Sequence, residues 1–374
     1  MLPDSTNQLR WGAPPWTIDF RPESRALPAQ VDFAVVGGGF TGLAAAAWLR
    51  HAAPEKTVAV LEMGAIGAGS SGRTGGLALA ETSAGDLPGL GDVLGGFSGT
   101  LSALGVECDL LLPGAWELAR RNSLQDSPIS WNDSGELRAV NEVPGGTIDP
   151  GKMVSGLARA AQGRGALIFE QAQVENVSFG DPLRLAVAGK ELRAQGVLFA
   201  SNAQSMELSS LADRTQPKFA LAAATAPLKE AQLAELGLAS RKPFYTIESP
   251  YLWGRLLASG GIVFGSGLVH VDDWRELAVL DVATGPAAES FARLERRVHG
   301  MHPVLRTVEF THRWGGPILI AEGWRPVFRR HPGSPRALVL GAYSGHGVAL
   351  SVYLGRWAAE VLLGQRDLPA WDSA

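Results

Sequence analysis

The sequence predicts an α/β protein in two interleaved parts, one built on a parallel sheet and the other, α+β, on a mostly antiparallel sheet. Three stretches carry that expectation. Residues 31–62 read as strand, glycine turn, helix, strand, and residues 337–363 repeat strand, glycine turn, helix near the other end of the chain. Between residues 217 and 314, short strand-like runs follow one another with turn residues between them. The first two patterns suit a sheet covered by helices and the third an antiparallel sheet. A chain of 374 residues is long for one core and suits two domains.

Taken in order, residues 1–30 hold five prolines together with Trp11 and Trp16 and show no periodic pattern. They predict an extended arm anchored by its tryptophans. Residues 31–36 are an apolar, β-branched run of the kind a buried parallel strand needs. They lead into Gly37-Gly38-Gly39-Phe40-Thr41-Gly42, which fits G-x-G-x-x-G. Gly37 permits the tight turn, Gly39 has no Cβ to keep the backbone from a pyrophosphate, and Gly42 lets the helix lie close on the strand. At Phe40 and Thr41 the helix opens, and its free N–H groups and positive dipole end suit phosphate. An alanine-rich helix stops before Pro54, and a strand over 57–61 ends at Glu62, twenty residues after Gly42. A carboxylate there accepts both hydroxyls of an adenosine ribose. This is the pattern of a Rossmann-like dinucleotide-binding unit, set against a glycine turn that binds nothing. A membrane span or signal core over 33–49 is rejected, because the run is short, dense in glycine, some thirty residues in, and lacks a basic start.

Residues 63–76 contain six glycines in fourteen positions, too many for a core element. Here the chain resembles the D-amino-acid-oxidase-like FAD-dependent amine oxidoreductases, in particular the γ-glutamylputrescine oxidase branch with its glycine- and sarcosine-oxidase relatives. The signature G-A-S-G-R-N-G-G is matched by Gly69-Ser70-Ser71-Gly72-Arg73-Thr74-Gly75-Gly76, with Thr74 departing. The resemblance implies that this loop, between Met63 and Leu77, runs over the pyrophosphate towards the isoalloxazine ring. It also implies that the backbone of Val174 meets the adenine, and that Ser201 and Asn202, in the stretch Val197-Leu198-Phe199-Ala200-Ser201-Asn202-Ala203, return the chain to the FAD-binding sheet.

Further elements are expected as helices at 101–112 and 116–122, a strand at 136–140, a helix at 151–162, and strands at 166–170, 172–177 and 196–203. Strands follow at 218–226, 243–247, 251–257, 261–267 and 307–313, with one amphipathic helix at 277–298. A strand at 337–341 precedes Ala342-Tyr343-Ser344-Gly345-His346-Gly347-Val348 and a helix to residue 363, with Gly364 as its C′ residue. Members of the resembled family carry S-G-H-G at this turn, with the helix start facing the flavin. A helix N-terminus there stabilises negative charge on a reduced ring by roughly 0.3–1 kcal/mol. His346 is read as structural in this turn rather than as a base. The expected division is an arm at 1–30, a discontinuous FAD-binding domain at 31–80, 147–216 and 315–374, and a substrate domain at 81–146 and 217–314.

Composition narrows the function. A formal net charge of −4, with 33 basic residues in no long run, gives no sign of nucleic acid or a membrane surface as partner. Arg329-Arg330-His331 and Arg296-Arg297 are the densest basic spots and read as solvated. Cys108, the one cysteine, excludes an internal disulfide or an iron–sulfur site and reads as inert core in a helix. The seven histidines have no ligand spacing, so no metal is expected. Without a signal peptide, the expected location is the cytoplasm.

No second glycine fingerprint marks an NAD(P)H domain, so the organic substrate is expected to meet the flavin directly. The implied reaction transfers a hydride from the carbon beside a primary or secondary amine, or an amino acid, to flavin N5. The imine then hydrolyses, and oxygen or another acceptor reoxidises the flavin. Arginine or tyrosine serves relatives that hold a substrate carboxylate. The candidates are Tyr245, Tyr251, Trp253, Arg255, Arg313, Arg325 and Tyr343, with His346. Ala349 stands where some relatives bind carboxylate with a lysine, and no cysteine lies near Trp314-Gly315-Gly316 to hold flavin covalently, so FAD is expected to be non-covalent. An NAD-dependent dehydrogenase and a non-catalytic FAD-binding subunit of a larger oxidase remain as alternatives.

Overall fold

The computed structural model describes residues 10–120 and 126–372. Two eight-stranded sheets organise it. At the centre of the first is β1 (Gln30–Val36), paired in parallel with β2 (Val58–Leu61) and β11 (Lys190–Phe199). β8 (Leu167–Phe169) continues in parallel beyond β2, and β18 (Ser334–Gly341) beyond β11, with β17 (Val327–His331) antiparallel at that edge. The long β11 also pairs with β10 (Leu183–Val187), and β10 with β9 (Val174–Ser178), both antiparallel.

Strand alternation gives this sheet two apolar faces. Phe33 and Val35 face a core shared with α1 (Phe40–Ala52), α2 (Val93–Leu104), α3 (Pro150–Gly163) and α5 (Gly347–Leu362), while Ala34 and Val36 face the core on the other side. α1 and α5 approach closely because α5 carries Gly355, where a Cβ would come within 2.7 Å of the Thr41 carbonyl oxygen. α3 starts cleanly, as Asp149 accepts from the Lys152 N–H at 2.8 Å and Pro150 occupies the first turn.

The second sheet runs β16 (Phe310–Ala321), β12 (Thr215–Thr225), β15 (Ile262–His270), β14 (Trp253–Leu256), β13 (Phe244–Thr246), β4 (Ala115–Ala119), β6 (Glu136–Val143) and β5 (Ser130–Asn132). Its pairs are antiparallel except β13 with β4. α4 (Gly285–Met301) buries Phe291, Leu294 and Val298 in the core of this half. A two-stranded ribbon, β3 (Leu77–Leu79) with β7 (Gly145–Thr147), is also present. Trp11 and Trp16 of the arm are both buried, and the Trp11 indole N–H donates to the Leu277 carbonyl at 2.9 Å.

Several expectations are corrected. The helix assigned to 101–112 lies at Val93–Leu104, because Asp92 caps its start and Gly105, at φ 69°, ends it. Cys108 therefore sits in the segment after the helix, where burial pushes its thiol up to about 12. The helix assigned to 116–122 is β4 as far as the described residues reach. Its backbone pairs with β13 and β6, and that pairing overrides helix propensity; residues 121 and 122 lie outside the description. The helix placed at 277–298 begins only at Gly285, with Pro286 in its first turn, after a 3₁₀ segment at Trp274–Val279. The two basic spots are not simply solvated. Arg297 pairs with the buried Asp133 at 2.6 Å, and His331 stacks on Phe179 with ring centroids 4.3 Å apart. Among the described residues, no helix is long and apolar enough to cross a membrane.

Candidate active site

One cavity of about 1190 Å³ runs between the two sheets. Its first wall is the turn after β1. Gly37 has φ 111°, and a Cβ on it would meet the Ala200 carbonyl oxygen at 2.6 Å. A Cβ on Gly42 would fall 2.0 Å from the Gly37 carbonyl oxygen, so only glycine lets α1 start this close to the strand. Gly39 precedes α1 and provides no side-chain cap. The Phe40 N–H donates instead to Ser71 Oγ at 2.9 Å.

Glu62 closes this end. Its carboxylate accepts from the Gly38 N–H at 2.8 Å and the Gly64 N–H at 2.9 Å. Burial still holds its pKa above the ordinary carboxylate value, with Glu170 adding to the effect.

The loop after Glu62 is braced from behind. The Trp16 indole N–H donates to the Gly72 carbonyl at 2.8 Å, the Trp314 indole to the Arg73 carbonyl at 2.9 Å, and Arg255 Nε to the Gly75 carbonyl. The Arg73 guanidinium is clasped by backbone carbonyls, with Gly12 at 2.8 Å and Gly315 at 3.2 Å. Burial lowers its pKa to about 10. Ser70 Oγ donates to the Pro317 carbonyl and accepts from Asn202 Nδ2, whose Oδ1 accepts from the Ala342 N–H at 2.9 Å.

The opposite wall is one cross-strand row of the second sheet. Strand pairing aligns Glu117, Tyr245, Trp253, Gly265, Ala222 and Trp314 across β4, β13, β14, β15, β12 and β16. Side chains in such a row share a face. Trp253 lies flat because two glycines make room for it. A Cβ on Gly265 would come within 1.9 Å of its ring, and one on Gly75 within 2.1 Å. The Tyr245 hydroxyl lies 2.9 Å from Glu117 Oε1 and 3.3 Å from Glu81 Oε1, and it has a single hydrogen for the two carboxylates. Burial, then the charge of Glu117, raises the Glu81 pKa, and burial with the carboxylates also raises that of Tyr245. Asn141 supplies Glu117 with a further donor at 3.0 Å.

The C-terminal turn completes the enclosure. The Tyr343 hydroxyl meets Thr41 Oγ1 at 2.8 Å. Ser83 Oγ donates to the Ser344 carbonyl at 2.6 Å, which leaves it an acceptor for Nδ1–H of His346. Nε2 of His346 is then the lone-pair atom, and burial holds the ring pKa below its ordinary value. At the mouth, Ile247, Tyr251, Leu268 and Trp324 line the cavity yet are 43–60% exposed.

Most residues singled out in the sequence line this cavity. The exceptions are Gly42, Gly72 and Gly76, which shape its walls, and Arg255, Arg313 and Arg325. Arg255 is buried behind Gly75, Arg313 pairs with Glu295, and Arg325 is exposed. Glu81, Ser83 and Glu117 were missed. Glu117 was hidden in a mistaken helix, and the other two follow a ribbon that local pattern does not reveal.

The cavity fits FAD. Ser201 Oγ lines it, buried and without a hydrogen-bond partner, and two helices open onto it without side-chain caps, at Gly39 and His346. The family model described as DAO, FAD dependent oxidoreductase, matches residues 32–361. The chain is 27% identical to gamma-glutamylputrescine oxidoreductase of Escherichia coli (strain K12), over 90% of this chain and 84% of that one. It is 25% identical to the probable oxidoreductase OrdL of Rhizobium meliloti (strain 1021), over 93% and 87%. In structure it is similar to glycine oxidase from Geobacillus kaustophilus, with TM-score 0.72, 17% identity and 91% and 96% coverage. L-proline dehydrogenase from P. horikoshii is also similar, with TM-score 0.74, 18% identity and 92% and 96% coverage.

Proposed function

The chain belongs to the DAO family of FAD-dependent oxidoreductases, and we propose that its cavity holds FAD and a cationic amine end to end. It is an oxidoreductase of amines or amino acids; the finer assignment of parts is our reading. Glu62, Met63 and Val174 would hold the adenosine, and Gly37–Thr41 with Ser70 and Ser71 the pyrophosphate. Thr74–Leu77 would hold the ring from one side and Gly345–Val348 from the other. FAD is held without a cysteinyl thioether, since Cys108 is buried away from the cavity.

Bound FAD supplies the two-electron acceptor for the carbon beside the amine nitrogen. The chain binds and orients that amine. Glu81 and Glu117 attract the ammonium and accept its N–H bonds, while Tyr245, between them, donates its one hydrogen to a single carboxylate at a time. The raised pKa of Glu81 suits it to receive the ammonium proton, and the neutral amine that remains can release hydride. The imine product is hydrolysed, and oxygen or another acceptor takes the electrons.

The observation that carries the substrate reading is the sign of the charge facing this half of the cavity. Arg297 is committed to Asp133, Arg73 is clasped by carbonyls, and Arg293 stands at the exposed rim. Glu81 and Glu117 line the same cavity, and the side chains hydrogen-bonded to them are the neutral Tyr245 and Asn141. An amine is therefore favoured over an α-amino acid.

The test is anaerobic titration of the yellow holoprotein with alkylamines, diamines and α-amino acids, following loss of flavin absorbance. Bleaching by amines at lower concentration than by amino acids supports the reading. Bleaching by amino acids alone overturns the substrate assignment, and failure to bleach with any of them leaves a non-catalytic FAD-binding subunit.

A further inference from the structure

The wall of the cavity has a buried charge behind it. Arg255, on β14, is 5% exposed. Its Nε donates to the Gly75 carbonyl, but its Nη2 is buried with no hydrogen-bond partner among the described residues. The acids whose charge reaches it are Asp149 and Asp109. Asp149 caps α3, and Asp109 pairs with Lys152 at 2.7 Å. A Cβ on Gly76 would lie 3.1 Å from Arg255 Nε and 3.2 Å from Nη2, so the guanidinium rests directly against that residue. Gly75 lines the cavity while Arg255 does not, which sets the cation one peptide behind the wall. The Trp16 ring, 5.4 Å from its Cζ, covers it further.

Holding a carbonyl does not require this residue. On the same loop, the neutral indoles of Trp16 and Trp314 hold the carbonyls of Gly72 and Arg73. A buried cation is costly unless negative charge is near, and among the described residues no carboxylate forms an ion pair with this one. A hydride adds two electrons and one proton, so the group that accepts it gains one net negative charge. Beside Gly75 that charge would face Arg255 through a single peptide, in surroundings where electrostatic interactions are strong.

We propose that Arg255 is an electrostatic positioning residue, whose buried cation raises the reduction potential of the flavin through the Gly75 wall. This rests on the ring lying along Thr74–Leu77, as in the proposed function. The experiment measures the two-electron midpoint potential and the FAD dissociation constant of the holoprotein for wild type, Arg255→Met, Arg255→Lys and Trp16→Phe. Arg255→Met is expected to shift the oxidised-to-reduced equilibrium about tenfold towards oxidised flavin, which is about 30 mV for a two-electron couple. Arg255→Lys is expected to keep most of the wild-type potential. Trp16→Phe, which removes a brace but no charge, is expected to weaken FAD binding and leave the potential in place. An unchanged potential in Arg255→Met overturns the proposal, as does an equal shift in Trp16→Phe. If Arg255→Met does not retain flavin, Arg255→Gln is measured with the same two outcomes. A wild-type protein that binds no FAD would instead refute the proposed function.

Discussion

Thr41 Oγ1 and the Tyr343 hydroxyl meet at 2.8 Å across 302 residues of sequence. Thr41 stands in the first turn of α1 and Tyr343 in the turn before α5, so one hydrogen bond ties the two glycine turns where both line the cavity. Tyr343→Phe leaves the buried Thr41 hydroxyl without its partner, at a cost of about 1–3 kcal/mol. Adding Thr41→Val should recover much of that loss. Denaturant unfolding of the four proteins in the cycle is expected to give a coupling of about 0.5–3 kcal/mol, and zero coupling would mark the contact as incidental.

Glu62→Ala tests the adenosine end. The side chain holds the amides of Gly38 and Gly64, and in the proposed function it also accepts ribose hydroxyls. Losing charge-assisted hydrogen bonds should weaken FAD binding by roughly 1.5–3 kcal/mol, about 10- to 150-fold. Titration of the apoprotein checks this, and an unchanged affinity would remove Glu62 from the cofactor site.

The substrate end makes a separate prediction. On the proposed function, Glu117→Gln removes one of the two negative charges that face the amine, while the amide can still accept from Tyr245. A loss of about 1.5–3 kcal/mol is expected in kcat/KM for amines, mostly through KM, with FAD affinity unchanged. Glu81→Gln should lower kcat as well, because it also removes the proton acceptor. Equal effects of both variants on FAD affinity would move these residues out of the substrate half.

Gly265 gives a packing test of the cavity floor. A methyl group at this position would lie 1.9 Å from the Trp253 ring. Gly265→Ala must displace that ring, and overpacking of this kind costs about 1–3 kcal/mol. A thermal scan and the amine KM should both change, while Gly267→Ala, with no neighbour closer than 3.9 Å but φ 87°, should cost stability without displacing the Trp253 ring.

The two ends of the site were legible because their chemistry is local. Gly37 and Gly42 shape the turn and Gly39 lines the cavity within the same strand–turn–helix, and Glu62 follows at the end of the next strand. The same holds for Tyr343–Val348 before α5. The acidic wall was not legible. Glu117 comes to face Tyr245 only through the β4–β13 pairing, and Glu81 only after β3 folds back from the glycine loop. The β9–β10–β11 meander was also missed in part, because the polar residues along its exposed face, such as Glu191, Arg193 and Gln195, mask the apolar alternation of Leu192 and Ala194. Arg255 is a substrate-contact candidate by its position in the sequence only, and burial reveals that a peptide separates it from the cavity.

His331 sets an acid limit on stability. Its Nδ1 accepts from the Gly333 N–H at 2.9 Å, so Nε2 carries the hydrogen and faces Ser210 Oγ at 2.9 Å. Protonating Nδ1 would break the first bond and place a charge between Phe179 and Phe199. Burial, with a smaller contribution from Arg329, accordingly holds the ring pKa below the ordinary histidine value. The folded state therefore binds a proton less readily than the unfolded chain, whose histidine titrates near pH 6.5. Stability from this group is complete above that pH and is lost as pH falls from there towards the folded pKa. The melting temperature should drop over that range, and His331→Gln should flatten the drop while lowering stability at neutral pH. The same slope in wild type and variant would show that His331 is not the group responsible.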